Sequence, residues 1–238
     1  MTFEGGDRRS RLLRQLHSSG GPVAGTDHLI ALCASATGVT GAGLMLMSGD
    51  VSLGSVAATD AVSALIEDQQ FALGEGPCID AYRLDRPVLE PDLANPRVPR
   101  WVAFTPAVLA AGAGAVFGFP LQVGAARLGA LNLYNDRAGE LQPQQHADAL
   151  IMAAIAAESL LLMQAGAKSG ELAAELETGA NLHAVVHQAT GMVSAQLGIY
   201  TTQALIRLRG HAFGHGRPLV DIASDIVERR LRFPTPDP

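Results

Sequence analysis

Three groups of side chains in this sequence have the type and spacing to do chemistry. His183 with His187, and His211 with His215, are each four residues apart. That spacing puts two imidazoles on one helix face, as zinc-binding helices do. Neither pair has an obvious acidic third ligand, so the expectation is imidazoles facing solvent or phosphate and titrating near neutrality, with no metal site. Cys78 follows Pro77 in the run Gly74-Glu75-Gly76-Pro77-Cys78. A helix N-terminus there would lower the thiol pKa and suit a redox sensor, while plain packing is the simpler role. Arg207, Arg209 and Arg217 fall in the C-terminal quarter, and arginine is suited to bidentate phosphate contacts and to stacking on splayed bases. Arg207 and Arg209 are two apart on a helix, so they point about 200° apart and cannot both face one ligand strand. No Ser/His/Asp order, GxxxxGK phosphate loop or HExxH pattern is present, and no cofactor is expected.

The elements that must position these residues follow from periodicity. Helices are expected over 11–16 and 26–37, the latter opening at Thr26-Asp27 and ending at Gly38. Strands are expected over 40–47 and 51–59, joined at Ser48-Gly49-Asp50. A helix capped by Asp60 runs to about Gln70, a short helix begins at Pro77, and Pro87 to Glu90 suits an edge strand. A further helix is expected from Trp101 to Ala111, and then a hairpin of Ala115–Val123 and Leu128–Tyr134. Residues 144–165 form a long Ala- and Leu-rich packing helix. Gly166 to Gly170 reads as a hinge, and a short helical piece over 171–177 ends at Gly179. Beyond it, apolar residues at 3–4 spacing from Leu182 to Leu197, Ala204 to Ala212 and Leu219 to Val227 read as three helices with one shared seam. Such a bundle is marginal alone and gains from docking or dimerisation.

Composition limits the classes of function. The chain has 238 residues, 48% hydrophobic and 17% charged, with a formal net charge of -6. It can bury a core and is no disordered acidic tail. The charge is uneven. Residues 1–180 hold 11 basic and 19 acidic side chains, whereas residues 181–238 hold 6 and 4. Any nucleic-acid role is therefore local to the C-terminal quarter. Cys33 and Cys78 form neither a disulfide scaffold nor a zinc ribbon. Trp101 to Ala126 carries no charge, but Pro106, Pro120 and four glycines make it a helix plus a buried strand and not a bilayer span. The start of the chain is polar and Arg-rich. The expectation is a cytoplasmic protein without a membrane partner.

Two stretches resemble known domains. Ala115 to Tyr134, ending Leu128-Gly129-Ala130-Leu131-Asn132-Leu133-Tyr134, resembles the central hairpin of GAF domains, and Gly74–Cys78 looks like the loop of GAF domains in bacterial regulators. Residues 186–223 resemble the ANTAR domain, an RNA-binding module of transcription antiterminators. The matching pieces are Gln188-Ala189-Thr190-Gly191-Met192, Ala204 to Arg209 with Ala212, and Arg217 to Ala223. Thr190 stands where such domains often carry Lys, and Leu205 where they carry an aromatic. The order GAF then ANTAR is similar to that of actinobacterial regulators.

The resemblance implies an α+β chain: a GAF-like antiparallel sheet with flanking helices, followed by a small three-helix bundle. The expected units are an N-terminal segment 1–19, a GAF-like domain 20–165, a linker with a short helix 166–180, an ANTAR domain 181–232 and a tail 233–238. It implies a non-enzymatic antitermination regulator, a homodimer that binds hairpin RNA in nascent transcripts and senses a small molecule or redox signal. Gln188, Thr190, Arg207, Arg209 and Arg217 are the RNA-binding candidates, and Cys78, Tyr82, Phe117, Phe119 and Asn132 the candidate lining of a ligand pocket. Two alternatives are a GAF-fold small-molecule or redox enzyme with a structural C-terminal bundle, and a bundle that binds DNA.

Overall fold

The computed structural model describes residues 3–18, 25–49, 51–166 and 171–234, with side chains left undescribed at 3–6, 17–18, 51, 164–166 and 171–182. Most of the expected hinge (167–170), the last part of the tail (235–238), Asp50 of the hairpin turn and the 19–20 boundary lie outside the described residues.

The chain runs α1 (Phe3–Ser18), α2 (Thr26–Thr37), β1 (Gly41–Ser48), β2 (Val51–Ala58), α3 (Ala61–Leu73), α4 (Pro77–Leu84), β3 (Val88–Glu90), α5 (Phe104–Ala110), β4 (Ala115–Val123), β5 (Ala126–Asn135), α6 (Pro143–Gly166), α7 (Glu171–Leu197), α8 (Thr201–Gly214) and α9 (Leu219–Val227). The five strands pair antiparallel in the order β2-β1-β5-β4-β3. Leu44 opposes Leu131, and Phe119 also opposes Leu131 from the other side. The register follows from the alternation of side chains, which places every second residue on the same face.

That alternation builds two faces. Ala42, Leu44 and Leu46 of β1, Phe117, Phe119 and Leu121 of β4, and Leu131 and Leu133 of β5 form one core with α2 and α6. The other face carries Met45, Met47, Ala130, Val116 and Tyr134 beneath α3 and α4. Gly43 and Gly118 also lie there. A Cβ on Gly43 would sit 2.4 Å from Glu67 Oε1, and one on Gly118 would sit 2.3 Å from the Pro77 carbonyl oxygen. Glycine at these points lets both helices approach the sheet backbone.

The stretch Pro143–Met163 of α6 is long and apolar enough to cross a bilayer by length and composition. Its Ala149, Met152, Ile155, Ala156 and Leu160 are buried against the sheet, which accounts for that composition. Two local expectations are corrected. Gly179 does not end a short helix, because α7 runs through it unbroken; one interior glycine costs only about 1 kcal/mol, which a long helix absorbs. The helix expected from Trp101 begins at Phe104, because Trp101 takes a left-handed φ of 57°. Its indole N–H donates to Asp80 Oδ2 at 2.9 Å instead.

Candidate nucleic-acid interface

Helices α7, α8 and α9 meet around Val186, Ala189, Val193, Leu205, Leu208 and Ile222, all buried. Small residues at Ala189, Ala204 and Ala212 let the helices come close. One RNA-binding candidate and one position that departs from the family pattern face inward. Thr190 is buried, and its hydroxyl donates to the Val186 carbonyl at 2.7 Å. Leu205, at the position where related domains hold an aromatic, is 2% exposed and belongs to the bundle core. Gln188, Arg207 and Arg217 reach solvent. Arg217 lies 2.8 Å from Asp225, which also pairs with Arg230; hydrogen bonds from Arg230 and Arg217 hold the Asp225 carboxyl below the usual range. Arg229, Arg230 and Arg232 are also exposed at the end of α9. The sequence reading missed these three, although the run Arg229-Arg230-Leu231-Arg232 was the signal for a basic edge.

Arg209 is turned the other way. Its Nε and Nη2 both donate to the Phe71 carbonyl, at 3.1 and 2.6 Å, and its Nη1 packs against Gly74, where a Cβ would come within 2.5 Å. Phe71 lies in the last turn of α3, where carbonyls lack helical donors, so a cation is a fitting cap. Burial, and then the nearby charge of Arg83, lower the Arg209 pKa to about 10, still cationic at neutral pH. The opposite directions of Arg207 and Arg209 follow from their spacing.

The first histidine pair joins the same seam, with His183 turned away from solvent and His187 half-buried. His183 is buried, with its ring centroid 3.8 Å from that of Phe71 and its Nε2 3.7 Å from Asp68. Burial, and then His187, lower its pKa to about 4, so the ring is neutral. His187 Nε2 lies 3.4 Å from the Leu53 carbonyl. His211 and His215 stack at 4.0 Å on the outer side. Among the described residues, no three His, Cys, Asp or Glu side chains are grouped to hold a metal ion.

The five pocket candidates do not share one pocket. Cys78, Tyr82 and Asn132 lie on the α3–α4 face, while Phe117 and Phe119 point into the opposite core, because β4 alternates. Asn132 is opposed by Gly43 on one side and Gly118 on the other. Among the described residues, its side-chain amide has no hydrogen-bond partner, and the same holds for both oxygens of Glu67 and for Nε2 of Gln70. Gln70 Oε1 accepts from the Cys78 amide at 2.7 Å. Burial, and then Asp68, push the Glu67 carboxyl well up, so it is held as a neutral acid. The Cys78 thiol is also pushed well up, by burial and then by Glu67. This overturns the expected lowering by the helix N-terminus: at full burial, desolvation of the thiolate outweighs it.

The sheet unit has a GAF-like fold. It is similar to the GAF domain of an Acinetobacter phosphoenolpyruvate-protein phosphotransferase, at a TM-score of 0.50 and 12% identity, over 69% of this chain and 98% of that one. It is also similar to the GAF domain of a phosphoenolpyruvate-protein phosphotransferase from Coxiella burnetii, at a TM-score of 0.50 and 13% identity, over 67% of this chain and 96% of that one. No curated protein sequence matches the chain. The ANTAR domain family matches residues 174–227, from within α7 to the end of α9. The chain thus joins a unit of GAF-like fold to a C-terminal stretch that matches the ANTAR domain.

Proposed function

We propose that the protein is a dimeric cytoplasmic regulator whose ANTAR bundle binds hairpin RNA in nascent transcripts and whose GAF-like unit senses a small-molecule or redox signal. The observation that carries this reading is the continuity of the two cores. Met45, Met47, Phe71, Cys78, Ile79 and Tyr82 of the sheet unit belong to the same buried cluster as Val186, Leu205, Leu208 and Ile222 of the bundle. A change on the α3–α4 face is then felt directly at the bundle through this shared core. Gln188, Arg207 and Arg217 supply the RNA contacts, aided by the basic edge at Arg229–Arg232. Thr190 is committed within α7, and Arg209 ties the bundle to the end of α3. Two bundles in a dimer bind paired hairpins with raised effective concentration, which compensates for the small positive surplus of each.

The test is a shift assay with hairpin RNA and duplex DNA at one stated salt concentration. The double change Arg207→Ala, Arg217→Ala weakens hairpin binding by about tenfold or more and lowers its salt slope by about two. Circular dichroism stays unchanged. Equal affinity in the variant, or tighter binding of duplex DNA, overturns the reading.

A further inference from the structure

Where α8 meets the sheet unit, a groove of about 520 Å³ opens between the two. Ile206, Arg209, Gly210 and Phe213 form one wall, at the 3–4 spacing that defines a single helix face. Leu73, Arg83 and Val102 stand opposite. The apolar side chains here are unusually open for their size: Val102 is 83% exposed, Phe213 68% and Ile206 65%. Single exposed apolar residues are ordinary, but three converging on one concavity mark a binding surface.

The charges in the groove are unbalanced. The charge of Arg83 is felt at Arg209, and among the described residues neither forms an ion pair with a carboxylate. Glu75 also lines the groove, but its Oε1 accepts the Ala103 and Phe104 amides at 2.7 and 2.8 Å, so that oxygen is committed to the start of α5. Two cations against this one carboxylate leave the groove a positive surplus, which favours an anion between Arg83 and Arg209.

We infer that this groove binds a small organic anion: a carboxylate or phosphate held between Arg83 and Arg209, on a flat apolar body seated against Ile206, Phe213 and Val102. The volume suits a ligand of drug or metabolite size. Because one wall belongs to the bundle and the other to the sheet unit, such a ligand fastens the two together and stabilises the docked arrangement. The site is separate from the α3–α4 face beneath the helices, and its binding readout involves no RNA.

The test is calorimetric titration of the full chain with naphthyl phosphate, with naphthol and inorganic phosphate as the two halves of the probe. Naphthyl phosphate binds about tenfold or more tighter than either half. Arg83→Gln, at an exposed position with no hydrogen bond or ion pair among the described residues, weakens it by about tenfold. Gly210→Leu abolishes binding: a Cβ there meets nothing within 4 Å, so the larger side chain enters the groove while the helix gains propensity. Naphthol binding as tightly as naphthyl phosphate, unchanged affinity in either variant, or no binding of naphthyl phosphate at millimolar concentration overturns the inference.

Discussion

The two faces of the one sheet are made of different material. Towards α2 and α6 the strands present Leu44, Leu46, Phe117, Phe119, Leu131 and Leu133, whose side chains hold no polar atom. Towards α3 and α4 they present Gly43, Gly118 and Asn132, and the helices bring Glu67, Gln70 and Cys78 to meet them. Both faces exclude water equally well, yet only the first is optimised for burial. The second keeps polar atoms without partners inside the protein, at a cost to stability. It is also the face that continues into the bundle. Stability rests on one side of the sheet, and the response proposed above on the other.

Four measurements sharpen or break this contrast. The largest effect belongs to the apolar face. Phe117→Ala costs about 3–5 kcal/mol by urea denaturation, whereas Asn132→Ala, which removes an amide lacking partners, costs less than about 1 kcal/mol. Equal losses would erase the distinction.

Next comes Glu67, whose folded pKa is raised above its ordinary value of 4.5. The native state holds this proton when the unfolded state has released it, so stability falls as pH rises above 4.5 towards the folded pKa. Glu67→Gln removes that loss. It stabilises the fold by about 1–3 kcal/mol at about pH 8, and by less at about pH 5. A gain that does not depend on pH contradicts a buried neutral acid.

The cysteines give a smaller comparison, since both are fully buried. A serine at Cys33 enters the apolar core, whereas one at Cys78 lies close to Gln70 and Glu67. Cys33→Ser is therefore the costlier change, by about 1–2 kcal/mol in urea denaturation. The reverse order would mean that the polar groups near Cys78 are not available to a hydroxyl.

The smallest effect is at His183. Its folded pKa, about 4, lies below the ordinary value of 6.5. Its contribution is complete above 6.5 and is lost as pH falls towards 4, where the unfolded state takes the proton first. Wild type should lose stability more steeply than His183→Leu across that window. Parallel curves would show that the ring titrates freely.

What the sequence made legible was whatever local pattern controls. The hairpin expected at 115–123 and 128–134 forms as Ala115–Val123 and Ala126–Asn135, because turn residues and alternation are short-range signals. The long helix expected over 144–165 forms as Pro143–Gly166 for the same reason. Burial of Arg209 was not legible. Its spacing from Arg207 fixed only that the two diverge, and the carbonyl that receives it, Phe71, is 138 residues away. His183 was misread likewise, since an i,i+4 pair states which face it shares but not what covers that face. The resemblance groups Phe117 and Phe119 with Asn132 in one pocket, although alternation along β4 and β5 separates them. The basic edge at Arg229–Arg232 was visible in the sequence and was overlooked.

The shared cluster of sheet unit and bundle also bears on how such a protein can be assembled from parts. A module that is freely recombined carries a closed core and can be fitted behind any sensor. Here the bundle closes its core with Phe71, Tyr82 and the two methionines of β1, so it behaves as a plug cut to one socket. Transplanted behind another GAF-like unit, it would carry an open apolar flank and an uncapped Arg209. A compatible sensor must therefore supply a matching helix end and strand edge, as well as a ligand.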